Sequence, residues 1–214
     1  MNNGVNLLSY GIKLKKKELS TNLIDIDKIK SAVTNATEET DLVVSRFARA
    51  VVIVAPTSQI TITIEKGEIS ITNGSTEINA ESTQKLAQIT RAIDKGVKET
   101  LTNFIYSYKC ILELSEPRVM APYLNTAKML ESGLIADAEK MVNATFNWGE
   151  DTDAGRFTTL INPKVDDNYE NTTQVYLHRA LRVKSGTLPE LTDLSTNLIS
   201  YYEDCKRLKD GIDK

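Results

Sequence analysis

Residues 60–72 read ITITIEKGEISIT, and they carry the clearest structural pattern in the chain. Isoleucine alternates with threonine or serine on both sides of Lys66-Gly67, which is typical of a β-hairpin with one apolar face. Because two strands alone are only marginally stable in water, we expect this hairpin, at residues 59–73, to pack on helices or to join strands of another copy. A two-residue turn at Lys66-Gly67 pairs Ile64 with Ile69 and Ile62 with Ile71.

Most of the remaining chain has apolar residues at the three- and four-residue spacing of amphipathic helices. We expect Asp25 or Asp27 to cap the first helix, Pro56 to end the second and Pro189 to open the last. A strand at Val51–Val54 is the alternative to the end of the second helix. The predicted helices span residues 25–36, 42–54, 79–114, 124–142, 172–183 and 189–211.

The sequence therefore predicts an α+β fold that is predominantly α-helical, with about five helices packed as a helical bundle and one inserted β-hairpin. Residues 1–22 have no sustained period and are interpreted as an extended N-terminal arm. Residues 23–214 are interpreted as a single, mainly helical domain. Residues 148–170 contain glycine, proline and clustered acids, which indicates a long loop with a short strand at Phe157–Ile161. No internal sequence repeat is visible.

Composition excludes several classes of protein. The 214 residues are 41% hydrophobic and 26% charged, as in folded proteins, and the net charge of −3 provides no overall field for nucleic acid or an anionic membrane. The two cysteines, Cys110 and Cys205, are too few for a disulfide framework and are interpreted as reduced, buried residues. No apolar stretch is long enough to span a membrane or to act as a secretion signal, so we expect a cytoplasmic protein without a membrane partner.

Catalytic and cofactor motifs are not visible in the sequence. His178 is the only histidine, lies within a predicted helix and is interpreted as a surface or capping residue. Neither the serine motif of hydrolases nor the glycine-rich motifs that bind nucleotides occur. We therefore predict no catalytic residue, no cofactor and no enzymatic activity.

Acidic residues give one alternative, a metal-dependent enzyme. Asp151 and Asp153, with Gly155, resemble the opening of a calcium loop, but the later glycine and glutamate of that motif are missing. A solvated loop is the simpler interpretation. A divalent metal would use carboxylates from two groups, namely Asp151, Asp153, Asp166 and Asp167.

Lysines near the N-terminus give a second alternative, a nucleic-acid-binding or regulatory protein. A flexible basic arm can bind phosphates by charge. A solvated arm or an edge strand also fits this stretch, since Leu14 and Glu18 accompany the lysines. The residues concerned are Lys13, Lys15, Lys16 and Lys17.

The string Leu7-Leu8-Ser9-Tyr10-Gly11-Ile12-Lys13-Leu14 resembles the opening of tail tube proteins from long-tailed bacteriophages. The resemblance implies a bacteriophage source, a structural role and a place in the virion. Those proteins are mainly β, whereas this sequence predicts a mainly helical chain, so their fold is not implied.

These observations favour a non-enzymatic structural or protein-interaction subunit that forms a homo-oligomer or docks on another protein. The missing catalytic motifs, a hairpin that needs a packing partner and an arm able to reach a neighbouring subunit lead to this hypothesis. The expected contact residues are Ile62, Ile64, Ile69 and Ile71 in the hairpin, and Lys13, Lys15, Lys16 and Lys17 in the arm.

Overall fold

Nine antiparallel strands form a single sheet in the computed structural model, which describes residues 4–119, 145–165 and 171–212. The strands are β1 (Val5–Lys16), β2 (Val43–Arg46), β3 (Ala50–Ala55), β4 (Ile60–Glu65), β5 (Glu68–Asn73), β6 (Leu101–Val119), β7 (Phe146–Thr152), β8 (Gly155–Val165) and β9 (Asn171–Val183). The helices within these residues are α1 (Ile26–Thr37), α2 (Ala80–Gly96) and α3 (Leu191–Ile212), with a short 3-10 turn at Thr21–Leu23. The strand order across the sheet is β2-β3-β4-β5-β1-β6-β9-β8-β7.

The prediction of a predominantly helical fold, packed as a helical bundle, is wrong. Residues 42–54 contain β2 and most of β3, so the alternative of a strand at Val51–Val54 is correct. The predicted helix 79–114 ends at Gly96 and is followed by β6, and residues 172–183 lie in β9. The predicted loop at 148–170 contains most of β7 and β8, and the short strand predicted at Phe157–Ile161 lies within β8. In β3, β6 and β9 alternate side chains are buried on one side of the sheet, so a period of two, not 3.6, determines the structure there. The end strands β2 and β7 are mostly exposed. The predicted helix 124–142 lies outside the described residues.

The hairpin and two helices agree with the sequence. β4 and β5 pair in the predicted register, with Ile64 opposite Ile69 and Ile62 opposite Ile71. The Asp25 carboxylate accepts a hydrogen bond from the backbone N–H of Lys28 and so caps α1. The last predicted helix is confirmed as α3.

The N-terminal segment is a strand, not an extended arm. β1 lies in the middle of the sheet, with β5 on one side and β6 on the other. Leu7, Ile12 and Leu14 are buried against the core, and alternation of such residues with polar ones is what a half-covered antiparallel strand requires. The interpretation of residues 1–22 as an arm outside the domain is therefore corrected.

The topology is repeated, although the sequence shows no repeat. In the first half, β1 is central, β2 to β5 fold outward and return beside it, and α2 follows β5. In the second half, β6 is central, β7 to β9 return beside it in the same way, and α3 follows β9. The two halves meet where β1 pairs with β6, so side chains from both halves lie next to each other at the centre of the sheet.

The helices cover one face of the sheet. α2 packs between α1 and α3, and the side chain of Thr83 in α2 lies 2.7 Å from that of Ser195 in α3. Tyr108 in β6 donates a hydrogen bond of 2.8 Å to the backbone oxygen of Leu198. Cys110 and Cys205 are both reduced and buried, as predicted. We call the opposite side of the sheet the open face, because none of the described helices covers it.

No helix in the described part of the chain is both long and apolar enough to cross a membrane.

Candidate functional site

A cavity of about 350 Å³ lies at the centre of the open face, where the two halves meet. Side chains from β5, β1, β6, β9 and β8 converge there, because neighbouring antiparallel strands place paired residues on the same face. We call this cavity the central groove. Its lining residues are Ser9, Tyr10, Gly11, Lys13, Ser70, Thr72, Ser107, Lys109, Leu160, Tyr176 and His178.

Gly11 lies between Thr72 and Ser107 in the sheet and lines the central groove. A Cβ atom at this position would lie 2.3 Å from the backbone oxygen of Ile71, so β5 approaches β1 too closely for any side chain. Glycine therefore keeps the middle of the groove free of protein atoms. The hydroxyl groups around it come from different strands.

His178 lies in β9, half-buried on the open face, and not in a helix as predicted. Its Nε2 atom is 3.0 Å from the Ser107 hydroxyl. Burial lowers the pKa of His178, and the positive charges of Lys109 and Lys13 lower it further. The imidazole is therefore neutral at neutral pH. Lys109 and Lys13 both lie close enough to His178 for their positive charges to act on it.

The four N-terminal lysines do not form one cluster. Lys13 and Lys15 on the open face both pair with Glu68, at 3.2 Å for Lys13. Burial alone would raise the pKa of Glu68, but the hydrogen bonds and charges of the two lysines outweigh it and lower that pKa. Lys16 points to the helix side and is buried, whereas Lys17 is exposed beside Glu18.

The acidic residues that were candidates for metal binding are only partly described. Asp151 is the penultimate residue of β7 and pairs with Arg156 at 3.0 Å, and Asp153 is exposed in the turn to β8. Asp166 and Asp167 lie outside the described residues. Among the residues that the structure describes, no group of three or more histidine, cysteine or acidic side chains is placed to hold a metal ion.

The hairpin isoleucines lie in the protein's own core. Ile62, Ile64, Ile69 and Ile71 are completely buried on the helix-covered face. Their packing partners are therefore in the same chain, and they are not exposed for contact with a second copy.

A different apolar surface is exposed at the end strand β2. Val43 and Phe47 are 55% and 64% exposed, and Val44 is also exposed. The backbone N–H of Phe47 donates to the backbone oxygen of Ala50 in β3, at 2.8 Å. Because successive residues of a strand direct their backbone groups to opposite sides, every second residue of β2 directs them away from β3. The backbone groups of Val44 and Arg46 therefore point away from the sheet. We call residues 41–49 the β2 edge.

Charge is distributed unevenly along the β2 edge. Two exposed acidic residues, Glu38 and Asp41, precede β2. Two exposed basic residues, Arg46 and Arg49, lie at the end of β2 and just after it. These four side chains have no ion-pair partner among the described residues. Sequence reasoning missed this edge because the same residues fit an amphipathic helix.

No protein family matches this chain, and no curated protein sequence matches it. A solved structure of Methanococcus jannaschii TBP aligns with 95% of this chain and 98% of its own, at 13% sequence identity and a TM-score of 0.31. A similarity this low assigns neither a fold family nor a function. The structure and these comparisons give no support to the bacteriophage origin and the place in the virion that the resemblance implied.

Proposed function

We propose that this chain is a protein-interaction subunit that self-associates through the β2 edge. The observation that carries the proposal is the end strand itself, which combines outward-directed backbone groups with the exposed side chains of Val43, Val44 and Phe47. An exposed apolar end strand is a template for pairing with another strand, and natural proteins usually protect such edges with charge.

The charges on the β2 edge favour a second copy of this chain as the partner. In an antiparallel pair of identical strands, the start of one strand lies beside the end of the other. The acidic residues before β2 would then lie beside Arg46 and Arg49 of the second copy. A parallel pair would bring like charges together, which opposes that arrangement.

Backbone geometry and side-chain pairing together favour one register. Within β2, Val44 and Arg46 both find an outward-directed partner when they face Arg46 and Val44 of the second copy, which places Ser45 opposite Ser45. In this register Val43 lies opposite Phe47 of the second copy, and Asp41 lies level with its Arg49. Apolar residues and opposite charges therefore pair at the same time.

The other end of the sheet differs in its charges, although it also exposes one large apolar residue, Trp148. β7, the end strand of the second half, carries the exposed acids Glu150 and Asp151. Two copies of β7 would bring acidic side chains together, so pairing through β7 is disfavoured. Self-association should therefore stop at a dimer.

Light scattering on a size-exclusion column tests the proposal. We expect a concentration-dependent dimer for the natural protein and a monomer for the double variant Val43→Lys/Phe47→Lys. The matched control is Leu8→Lys, because Leu8 is also an exposed apolar residue but lies in β1. A natural protein that is monomeric at every concentration, or a double variant that still dimerises, would show the proposal to be wrong.

A further inference from the structure

We propose that the central groove binds the phosphoryl group of a small, phosphorylated ligand. The groove is separate from the β2 edge, so this inference does not depend on self-association. It rests on the charge of the groove, on hydroxyl groups that have no hydrogen-bond partner among the described residues, and on the size of the groove.

The central groove has a positive charge. The side chain of Lys109 has no hydrogen bond or ion pair with the described residues, and its charge acts on His178. Lys13 shares Glu68 with Lys15, so two positive charges face one carboxylate at that end. Neither aspartate nor glutamate lines the groove within the described residues. The net charge around the cavity therefore attracts an anion.

Hydroxyl groups supply hydrogen-bond donors beside these charges. Those of Ser9, Ser70 and Thr72 have no partner in the part of the chain that the structure describes. Phosphoryl oxygens accept several hydrogen bonds at once and bind lysine as a point charge. Hydroxyl donors and lysines on three adjacent strands, around a glycine that leaves space, suit a phosphoryl group better than a planar carboxylate.

The size of the cavity favours a small molecule. Its volume of about 350 Å³ is in the range of small-ligand sites in proteins. Tyr176 and Leu160 provide a partly apolar wall on one side, which suits the organic part of a phosphate monoester. The ligand class is therefore a phosphate monoester of a small organic molecule.

His178 gives a direct readout of binding. The charged groups facing it are Lys109 on β6 and Lys13 on β1, while Leu160 on β8 and the Ser107 hydroxyl are neutral. A dianion between the lysines would offset their charges, so the imidazole would bind a proton more readily. Because His178 is the only histidine, its ring signals in an NMR spectrum need no assignment.

The experiment is an NMR titration of the full chain with inorganic phosphate at constant ionic strength. We expect a saturable shift of the His178 signals and an upward shift of the pKa of His178 when phosphate is bound. Lys109→Gln should weaken binding about tenfold or more, because it removes a charge-assisted hydrogen bond. The matched control is Lys17→Gln, which changes the net charge equally but lies outside the groove.

Two results would overturn the inference. One is a His178 signal that does not respond to phosphate at any tested concentration. The other is an equal loss of affinity in Lys109→Gln and Lys17→Gln, which would indicate non-specific charge screening. Circular dichroism spectra of both variants confirm that each is folded.

A second titration distinguishes the sources of the phosphoryl group. A nucleoside monophosphate should bind at least as tightly as inorganic phosphate. A single-stranded oligonucleotide without a terminal phosphate should bind more weakly, since its internal phosphates are diesters with one charge each. Tighter binding of the oligonucleotide would overturn the small-ligand assignment and indicate a nucleic-acid surface.

Discussion

Lys16 Nζ lies 2.6 Å from the Asp94 carboxylate and also donates to the backbone oxygens of Asp94, Val97 and Glu99. Lys16 ends β1 and is only 3% exposed, whereas Asp94 lies in the last turn of α2. One lysine therefore satisfies carbonyl groups at the C-terminus of a helix, where a positive charge is also favoured by the helix dipole. This contact joins the first strand to the helix layer.

Replacing Lys16 by methionine should strongly destabilise the fold. Lys16→Met keeps the length of the side chain but leaves a carboxylate and three carbonyl oxygens without their donor, and we expect a loss of about 3 kcal/mol. Urea unfolding measures it. Lys17→Met is the matched control, because Lys17 is exposed and its replacement should change stability by less than about 0.5 kcal/mol. Equal losses in the two variants would contradict the assigned role of Lys16.

Two glycine substitutions should have opposite effects on stability. In Gly11→Ala the new Cβ would collide with the backbone of β5, so we expect a loss of about 2–3 kcal/mol.

Gly96 ends α2 with a negative φ, and no atom lies within 4 Å of a Cβ placed there. Gly96→Ala should therefore stabilise the protein by up to about 1 kcal/mol, because alanine restricts the unfolded chain and favours helix. Thermal unfolding of both variants checks this, and a destabilised Gly96→Ala would contradict it.

Part of the fold can be predicted from the sequence. The hairpin register follows from a strict period of two with an obvious turn, and α1 follows from its cap and its spacing. β6 is ambiguous, because Phe104, Tyr108 and Leu112 are four residues apart and lie on one side in a helix and in a strand alike. Only Tyr106 and Cys110, which complete the alternation, favour the strand.

β9 could not be recognised as a strand from the sequence, for a different reason. Its buried positions include Arg179, which stacks on Phe157 at 4.0 Å and donates to the Thr159 hydroxyl at 2.8 Å. A charged residue at a core position breaks the apolar alternation, and only the tertiary structure shows how it is accommodated. The central groove could not be predicted from the sequence either, since its lining residues come from five strands that are distant in the sequence.

The lowered pKa of His178 predicts that the protein loses stability in mild acid. Burial and the charges of Lys109 and Lys13 lower the pKa of the folded His178, so the unfolded chain binds a proton at higher pH than the folded chain. The free energy of unfolding is therefore highest above the unfolded pKa of about 6.5 and falls as pH decreases through the folded pKa. Urea unfolding over this pH range measures the effect. His178→Gln should lose less stability across the same range, and an identical pH dependence in both proteins would contradict this.

The register of the proposed dimer predicts which cysteine forms a cross-link. Ser45 would lie opposite itself in a pair that does not exchange backbone hydrogen bonds, where Cα atoms are about 4.5 Å apart and a disulfide can form. Ser45→Cys should therefore give a covalent dimer under mild oxidation, measured by non-reducing electrophoresis. Val44→Cys is the control, because its two copies would be offset by two residues and too distant to bond. The native cysteines are buried and should not interfere. A cross-link in Val44→Cys but not in Ser45→Cys would contradict this register and indicate the pairing shifted by one residue in each strand.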